Sequence, residues 1–273
     1  MKLNVDGKVA VVTGGSRGLG LNCAEVLVKN GAKAVYITSR KDKAVQESVK
    51  FLQDLAKQYN NTDCKIAGIG TDCSTKAGNK KLYDFVAESE SQVDILIANA
   101  GASWGAPLTQ HPEDAFDKVL ALNVKGVFLT IQAFYPLLKK AGTKDYSSRI
   151  LITGSVTGLR TDAMGSGTYG YTASKAGVMH MGKALAMELG PQNINVNILA
   201  PGFFPTKMAN GLLEKVGERM IAANPKRRLG RQEDLESVVL FFSAKESDYI
   251  NGAVIPIDGG SYLGDAFSTG TKL

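Results

Sequence analysis

Short apolar segments alternate with longer amphipathic ones along almost the whole chain, and this alternation constrains the fold more than any other feature. The short segments are rich in β-branched residues, as buried strands are, and they lie at 8–14, 34–40, 64–72, 93–101, 148–156, 194–202 and 253–260. The longer segments have helical spacing and lie at 19–32, 43–59, 76–89, 115–140 and 171–189. Because parallel strands need a crossover between them, the alternation predicts a three-layer, doubly wound α/β fold with a seven-stranded parallel sheet.

The chain of 273 residues contains no linker, repeat or low-complexity block, so residues 1–273 are predicted to form a single domain. Its 44% apolar and 21% charged residues are typical of a soluble globular protein. The stretch 203–225 breaks the alternation with glycine, proline and short helical pieces, and we expect it to be a substrate lid. The end of the chain, around 264–273, is expected to be a flexible tail.

Several classes of partner and compartment are disfavoured by composition. No apolar run approaches the about 18 residues of a membrane span, and the N-terminus lacks a signal-peptide pattern. The cysteines are odd in number and lack metal-ligand spacing, which favours a reducing compartment and no metal site; they are Cys23, Cys64 and Cys73. The expected location is cytoplasmic, with a peroxisome as the alternative because the chain ends in Thr-Lys-Leu, close to the Ser-Lys-Leu signal.

The net charge of +6 and the pI near 9.1 indicate a basic protein. The basic residues are scattered, however, and no aromatic-rich basic stripe accompanies them. This distribution does not favour nucleic acid as a partner. An acidic protein partner or a polyphosphate ligand is the alternative, and the short basic cluster at 224–232 is interpreted mostly as solvated surface.

A glycine-rich turn joins the first predicted strand to the first predicted helix. Its pattern is Gly14-x-x-x-Gly18-x-Gly20. Glycine lets the backbone approach a phosphate closely, and the following helix N-terminus offers unpaired N–H groups and the positive end of the helix dipole. In this position the turn predicts dinucleotide binding on a Rossmann-type fold, with a purely structural turn as the alternative.

The residues after the second strand indicate which dinucleotide is bound. NAD-binding proteins commonly carry an acidic residue there, which binds the ribose hydroxyl. This chain has Ser39 and Arg40 instead, and Arg17 lies in the glycine turn. Two guanidinium groups suit the extra 2′-phosphate of NADP, so NADP(H) is the predicted cofactor.

A tyrosine and a lysine four residues apart, Tyr171 and Lys175, would share one face of a helix. An adjacent ammonium group favours the phenolate and lowers the tyrosine pKa, so the pair is suited to acid–base chemistry. Tyr169 lies six residues before Lys175 and would point elsewhere. A solvated helix face is the alternative, because this spacing is common.

Seven motifs stand in the order found in the short-chain dehydrogenases/reductases, which the sequence resembles from Lys8 to about Tyr262. They are "TGGSRGLG" (13–20), "TDCS" (71–74), "ANAG" (98–101), Asn123 in "LNVKG", Ser155 in "ITGSV", "YTASK" (171–175) and "APGFFPT" (200–206). The segments "GRQEDL" and "NGAVIPIDGG" resemble the 3-oxoacyl-[acyl-carrier-protein] reductases and carbonyl reductases, including the rhamnolipid-type branch.

The resemblance implies four catalytic residues. Tyr171 would donate a proton to the substrate carbonyl, and Lys175 would lower its pKa and hold the nicotinamide ribose. Ser155 would hydrogen-bond the carbonyl oxygen, and Asn123 would hold a water molecule that links Lys175 to solvent. Taken singly, Asn123 is as well explained as a core hydrogen-bonding residue, and Ser155 as a strand-end cap.

The resemblance also implies a set of cofactor-binding residues along the same crevice. They are Gly14, Ser16, Arg17, Gly18, Leu19, Gly20, Ser39, Arg40, Asp72, Cys73, Asn99, Gly101, Tyr171, Lys175, Pro201, Gly202, Phe204 and Thr206. Trp104 is a candidate for the substrate pocket, with loop packing as the alternative, and His111 and His180 are expected to be structural. Members of this family usually form dimers or tetramers, so a homo-oligomer is expected.

Two departures from the family pattern concern the site. Ser155 and Tyr171 are 16 positions apart, a few more than is usual, and the extra "RTDAMGSG" borders the site. The fourth strand ends in Ala98-Asn99 where the family often has two asparagines.

The leading hypothesis is an NADPH-dependent reductase of a small-molecule carbonyl substrate, a 3-oxoacyl thioester or a hydrophobic ketone. The partly apolar "GFFPTKMANGLL" favours such substrates over sugars. A polyol or sugar-ketone oxidoreductase is the alternative, and a non-catalytic NADP-binding sensor is a remote one. Met187 stands where carrier-protein reductases often have a basic residue, which weakens the case for an acidic carrier protein as partner.

Overall fold

The computed structural model describes residues 3–161, 167–206 and 210–264, with the side chains of 210–216 left aside. A single seven-stranded sheet, all of whose paired neighbours are parallel, has the order β3-β2-β1-β4-β5-β6-β7. The strands are β1 Val9–Thr13, β2 Ala34–Ser39, β3 Lys65–Gly70, β4 Ile95–Ala98, β5 Ser148–Thr153, β6 Ile194–Pro201 and β7 Val254–Ile257. The expected doubly wound α/β sheet is confirmed.

Helices cover both faces of the sheet. They are α1 Gly18–Lys29, α2 Asp42–Gln58, α3 Lys76–Ala87, α4 Glu113–Leu120, α5 Val127–Ala141, α6 Tyr169–Leu189, α7 Asn210–Ala223 and α8 Gln232–Ser243. Apolar side chains of α1, α2 and α8 form one cluster against the sheet. Those of α3, α5 and α6 form a second cluster on the opposite face. Because the central strands are buried on both faces, they are continuous apolar runs rather than alternating ones.

The predicted helix 115–140 is interrupted. A π-helical turn, Ala121–Gly126, separates α4 from α5 and carries Asn123. Gly126 faces the backbone of the β3–α3 connection, where a Cβ would lie 2.8 Å from the carbonyl oxygen of Cys73. The apolar pattern is continuous through this region, so it gave no sign of the wider turn, which is often found at functional sites.

Within the described part of the chain, one helical stretch is long and apolar enough to cross a membrane by length and composition alone, namely Glu113–Ala141 with a mean hydropathy of 1.3. Its apolar side chains include Ile131, Phe134 and Leu138, which are buried in the second cluster. A helix that packs against a sheet needs a high apolar content. The apolar content of this stretch is therefore explained by its packing in the hydrophobic core.

The expected lid is partly a helix. Residues 203–206 are irregular, 207–209 lie outside the described residues, and α7 follows. Phe204 and Met220 are buried. Most of the inserted segment, 162–166, and the tail 265–273 also lie outside the described residues, so the lid, the tail and the single domain stay predictions.

The chain reverses its direction of winding between β1 and β4. Ligands of open α/β sheets bind in the crevice that this reversal opens at the carboxyl ends of the strands. The glycine turn and the ends of β4, β5 and β6 all meet at that edge.

Candidate active site

The glycine turn between β1 and α1 leaves no room for side chains at Gly14 and Gly20. Gly14 and Gly18 have φ of +66° and +53°, a conformation that glycine adopts readily. A Cβ on Gly20 would lie 2.3 Å from the Gly14 carbonyl oxygen. Arg17 precedes α1 in an extended conformation and makes no side-chain cap, so the helix N-terminus is available to an anion. The turn therefore fits a diphosphate group.

Asn99 joins the ends of three strands beneath this turn. Its Nδ2 donates to the carbonyl oxygens of Thr13 and Gly14, at 3.0 and 3.4 Å. Its Oδ1 accepts a hydrogen bond from Thr153 Oγ1 at 3.2 Å, at the end of β5. The backbone N–H groups of Asn99 and Ala100 both donate to Thr13 Oγ1 at 3.0 Å. These bonds fix the floor of the crevice.

The end of β2 lies against the glycine turn, because Gly15 N donates to the carbonyl oxygen of Thr38 at 3.0 Å. Ser39 follows and is half-buried, while Arg40 and Arg17 are exposed. The next acidic residue, Asp42, accepts a hydrogen bond from Gly70 N at 2.8 Å. Two guanidinium groups thus flank this end of the crevice, and the carboxylate nearest in sequence is engaged by β3.

Two predicted adenine contacts follow β3. Asp72 is exposed, and its Oδ1 accepts a hydrogen bond from Ser74 N at 2.9 Å. Cys73 is buried, and burial raises the pKa of its thiol to about 12. The Cys73 carbonyl accepts a hydrogen bond from Asn79 Nδ2 at 2.8 Å, so its side chain and its carbonyl are both engaged by the protein.

The last predicted cofactor segment follows β6. Thr206 lies over the glycine turn, where a Cβ on Gly18 would be 3.4 Å from its methyl carbon. Gly202 N donates to the Ile257 carbonyl oxygen at 3.0 Å, which fixes the segment to β7. The ring of Phe204 does not face the crevice, because it is buried in the first cluster against Gly230. Leu19 is partly buried and also packs against that cluster.

Ser155 and Tyr171 are brought together at the end of β5. Ser155 caps a short 3₁₀ turn, Val156–Gly158, and is buried. Tyr171 stands in the first turn of α6, and its phenol lies close enough to Ser155 for the serine hydroxyl to affect its pKa. Burial raises the pKa of Tyr171 above its ordinary value, and the Ser155 hydrogen bond acts in the opposite direction. Tyr169, by contrast, is half exposed.

Lys175 lies behind Tyr171. Its Nζ donates to the carbonyl oxygen of Thr153 at 2.6 Å and is 5.6 Å from the centroid of the Tyr171 ring. Burial lowers the pKa of Lys175 to about 8. We expected Lys175 to lower the tyrosine pKa, but among the protein's own groups burial dominates and Ser155 is the group that opposes it. A lysine bonded to a backbone carbonyl can still approach a ribose hydroxyl or the phenol.

Asn123 completes the group from the π-helical turn. Its Oδ1 accepts from Ala102 N at 2.8 Å, and its Nδ2 donates to the Ala102 carbonyl oxygen at 2.9 Å. Nδ2 also donates to Ser174 Oγ at 2.9 Å. A Cβ on Gly101 would lie 3.3 Å from Asn123 Oδ1 and 3.7 Å from Lys175 Nζ. Gly101 therefore keeps open the space between the amide and the ammonium group.

The loops after β4 and β5 carry exposed apolar side chains near this group. Trp104 is 51% exposed, Leu108 is 73% exposed, and Leu159 is 42% exposed. His111 packs edge-on against Phe116 and Tyr169, which agrees with a structural role. The place of Trp104 in a substrate pocket stays a prediction.

Four hydroxyl residues of the site were not singled out from the sequence: Thr13, Thr153, Thr157 and Ser174. Ser174 Oγ joins Asn123 to the Tyr171 carbonyl oxygen, to which it donates at 2.7 Å. Thr157 binds Ser155, as described below. Thr13 and Thr153 lie at the ends of strands, and this position was the only sign of their role in the sequence. Because hydroxyl residues are common at strand ends, the sign is weak.

The comparisons with known proteins agree with this geometry. A family model described as short chain dehydrogenase matches residues 8–217. A rhamnolipid-biosynthesis 3-oxoacyl-[acyl-carrier-protein] reductase of Pseudomonas aeruginosa is 37% identical over 94% of this chain and 97% of its own length. A 3alpha-hydroxysteroid dehydrogenase of Mediterraneibacter gnavus is 34% identical over 95% of this chain and 98% of its own length.

Among solved structures, the RhlG/NADP active-site complex of Pseudomonas aeruginosa superposes with a TM-score of 0.87 at 37% identity. The match covers 96% of this chain and 100% of that one. The protein belongs to the short-chain dehydrogenase family and is an oxidoreductase of the class that interconverts alcohols and carbonyl compounds. The resemblance stated from the motifs is thereby confirmed.

Proposed function

We propose that the protein reduces a ketone to a secondary alcohol with NADPH as the hydride donor. The observation that carries the proposal is the placement of Ser155 beside Tyr171, backed by buried Lys175, at the crevice that the glycine turn opens. A proton donor pair beside a dinucleotide site is what carbonyl reduction requires.

Three features support NADP(H) as the cofactor. The glycine turn packs tightly on Asn99 and its own backbone, and it leads into the N-terminus of α1, which has no side-chain cap and can receive a diphosphate. Arg17 and Arg40 are exposed at the end that would receive a 2′-phosphate. The solved structure of the relative RhlG is that of a complex with NADP. The bound reduced nicotinamide would supply a hydride to the carbonyl carbon.

The chain's own residues would manage the charge that grows on the carbonyl oxygen. Ser155 would donate a hydrogen bond to that oxygen, and Tyr171 would deliver its proton to it. A raised pKa keeps Tyr171 protonated at neutral pH, which suits a general acid. Lys175 would stabilise the phenolate left behind, and Asn123 would hold the path by which a proton returns.

A hydrophobic substrate, such as a 3-oxoacyl thioester, fits the apolar side chains around the site. Trp104, Leu108 and Leu159 are exposed on the loops next to Ser155 and Gly101. The two relatives named above act, by name, on a 3-oxoacyl group and on a steroid, which are both largely apolar. A sugar ketone would leave these side chains uncovered.

The test compares wild type, Tyr171→Phe and Tyr169→Phe in NADPH oxidation with an acetoacetyl thioester, a bulky aryl ketone and a keto-sugar. Tyr171→Phe is expected to lose at least about a thousandfold in kcat, because the proton donor is removed. Tyr169→Phe removes an equivalent hydroxyl on an exposed side chain and should keep wild-type activity. Turnover of the keto-sugar alone would overturn the substrate class, and equal activity of all three proteins would overturn the role of Tyr171.

A further inference from the structure

Thr157 makes two contacts with the oxygen of Ser155. Thr157 N lies 3.3 Å from Ser155 Oγ, and Thr157 Oγ1 lies 3.0 Å from the same atom. The first contact has a fixed direction, because a backbone N–H can only donate. Both arise from the 3₁₀ turn Val156–Gly158, which bends the chain back over Ser155.

A serine hydroxyl has one proton to give and two lone pairs to receive hydrogen bonds. If both groups of Thr157 donate, the acceptor side of Ser155 is filled. The single proton of Ser155 is then directed toward its remaining partner, Tyr171, or toward a carbonyl oxygen that lies between them.

We propose that Thr157 is a positioning residue, which fixes the Ser155 hydroxyl as a donor toward the reacting oxygen. The proposal rests on the proposed function of the site. Negative charge that grows on the substrate oxygen or on the Tyr171 oxygen orients both hydroxyl dipoles toward it. Donation by Thr157 also strengthens donation by Ser155, because consecutive hydrogen bonds polarise one another.

The opposite direction gives the opposite prediction. A Ser155 hydroxyl that donated to Thr157 Oγ1 would have no proton left for the substrate. Removal of the Thr157 hydroxyl would then release that proton and raise activity. The sign of the effect therefore distinguishes the two arrangements.

The experiment uses Thr157→Val, which removes the hydroxyl and keeps the branched shape, and Thr157→Ser, which keeps the hydroxyl. With an acetoacetyl thioester, Thr157→Val is expected to lower kcat about fivefold to tenfold, the effect of one lost hydrogen bond, while KM changes little. Thr157→Ser should restore most of the activity. Thr157→Cys, a weak donor of similar size, should be intermediate and serves if the valine variant does not fold.

A double-mutant cycle with Ser155→Ala tests whether Thr157 acts through Ser155. In that background, Thr157→Val should cause no further loss. An undiminished loss would show that Thr157 acts in another way, and unchanged or increased kcat in the single variant would overturn the proposal.

A readout that needs no substrate separates this inference from the proposed function. The phenol of Tyr171 can be titrated by NMR of labelled tyrosine, with its signal identified by Tyr171→Phe. Thr157→Val should shift the titration of Tyr171 to higher pH, and Thr157→Ser should leave it in place. If the wild type reduced no carbonyl compound, the proposed function would fail. The titration would still test the inference: a shift of the Tyr171 titration in Thr157→Val would support it, and an unshifted titration would overturn it.

Discussion

Lys175 carries an amino group in a place where a charge is costly. The side chain is buried, and burial lowers its pKa from 10.5 to about 8. At neutral pH the folded protein therefore keeps a buried ammonium group with one carbonyl contact, to Thr153. Catalytic sites commonly retain such residues at the expense of stability.

The substitution Lys175→Met is expected to stabilise the protein at pH 7 by about 1–2 kcal/mol, because an apolar chain of similar length replaces a desolvated charge. The pKa of Lys175 is lower in the folded protein than in the unfolded chain. Between pH about 8 and 10.5, the unfolded chain therefore binds more protons at this residue than the folded protein does. Wild-type stability thus rises with pH across this range, and the advantage of the methionine variant shrinks.

Urea unfolding of both proteins at pH 7 and at pH 9.5 measures this difference. The Lys139→Met change, on an exposed lysine of α5, is the control and should be nearly neutral at both values. A lower free energy of unfolding for Lys175→Met at pH 7 would contradict the burial cost.

Some residues of the site could be predicted from the sequence, and others could not. Spacing alone separated Tyr171 from Tyr169, and the ordered motifs then supplied Ser155 and Asn123. Thr157 and Ser174 were missed because their roles depend on how a 3₁₀ turn and a helix bring hydroxyls onto particular atoms. The contact of Lys175 with Thr153 was missed for the same reason.

Among the elements that form the site, the glycine turn between β1 and α1 tolerates no side chain at Gly20. Gly20 lies in the first turn of α1, and its α-hydrogen side faces the Gly14 carbonyl and Asn99 Nδ2. The close approach couples the β1–α1 turn to the end of β4. A methyl group in this place would separate the two.

The change Gly20→Ala is expected to weaken NADPH binding at least about tenfold, because a Cβ 2.3 Å from the Gly14 oxygen forces the turn out of shape. Gly177→Ala, in α6, is the control. A Cβ on Gly177 meets nothing within 4 Å, and alanine in a helix interior should add about 0.5–1 kcal/mol of stability. Fluorescence titration with NADPH measures the affinities, and equal affinities for both variants would contradict the account of the turn.

The strands were predictable as short runs of β-branched apolar residues and most helices by their helical spacing, whereas the π-helical turn Ala121–Gly126 was not predictable. One wider turn leaves the apolar pattern of a long helix intact. The π-helical turn is associated with a tertiary contact, because the Asn123 side chain accepts a hydrogen bond from the Ala102 N–H and donates one to the Ala102 carbonyl oxygen. Such a constraint comes from another part of the chain and leaves no local signature.

At the scale of the whole molecule, α5 and α6 leave large apolar side chains exposed. Phe128 is 41% exposed and Met187 is 81% exposed. Single exposed apolar side chains are common on protein surfaces, but members of this family usually form dimers or tetramers, and we expect an oligomer formed through these helices that would cover both side chains.

The change Met187→Lys is expected to shift the protein toward smaller species, because it places a charge in a buried interface. Tyr249→Lys, on a fully exposed side chain outside these helices, should leave the assembly unchanged. Light scattering coupled to gel filtration measures both. A wild type that is monomeric at micromolar concentration, or a loss of assembly in Tyr249→Lys alone, would contradict this expectation.

In the proposed reaction, hydride moves from NADPH to a carbonyl carbon while Tyr171 supplies the proton. The most direct measurement uses NADPH deuterated at the transferring position, an acetoacetyl thioester as substrate and mass spectrometry of the product. The account predicts one deuterium on the carbinol carbon with the wild type and almost no product with Tyr171→Phe. Product without deuterium, or equal product from the two proteins, would contradict it.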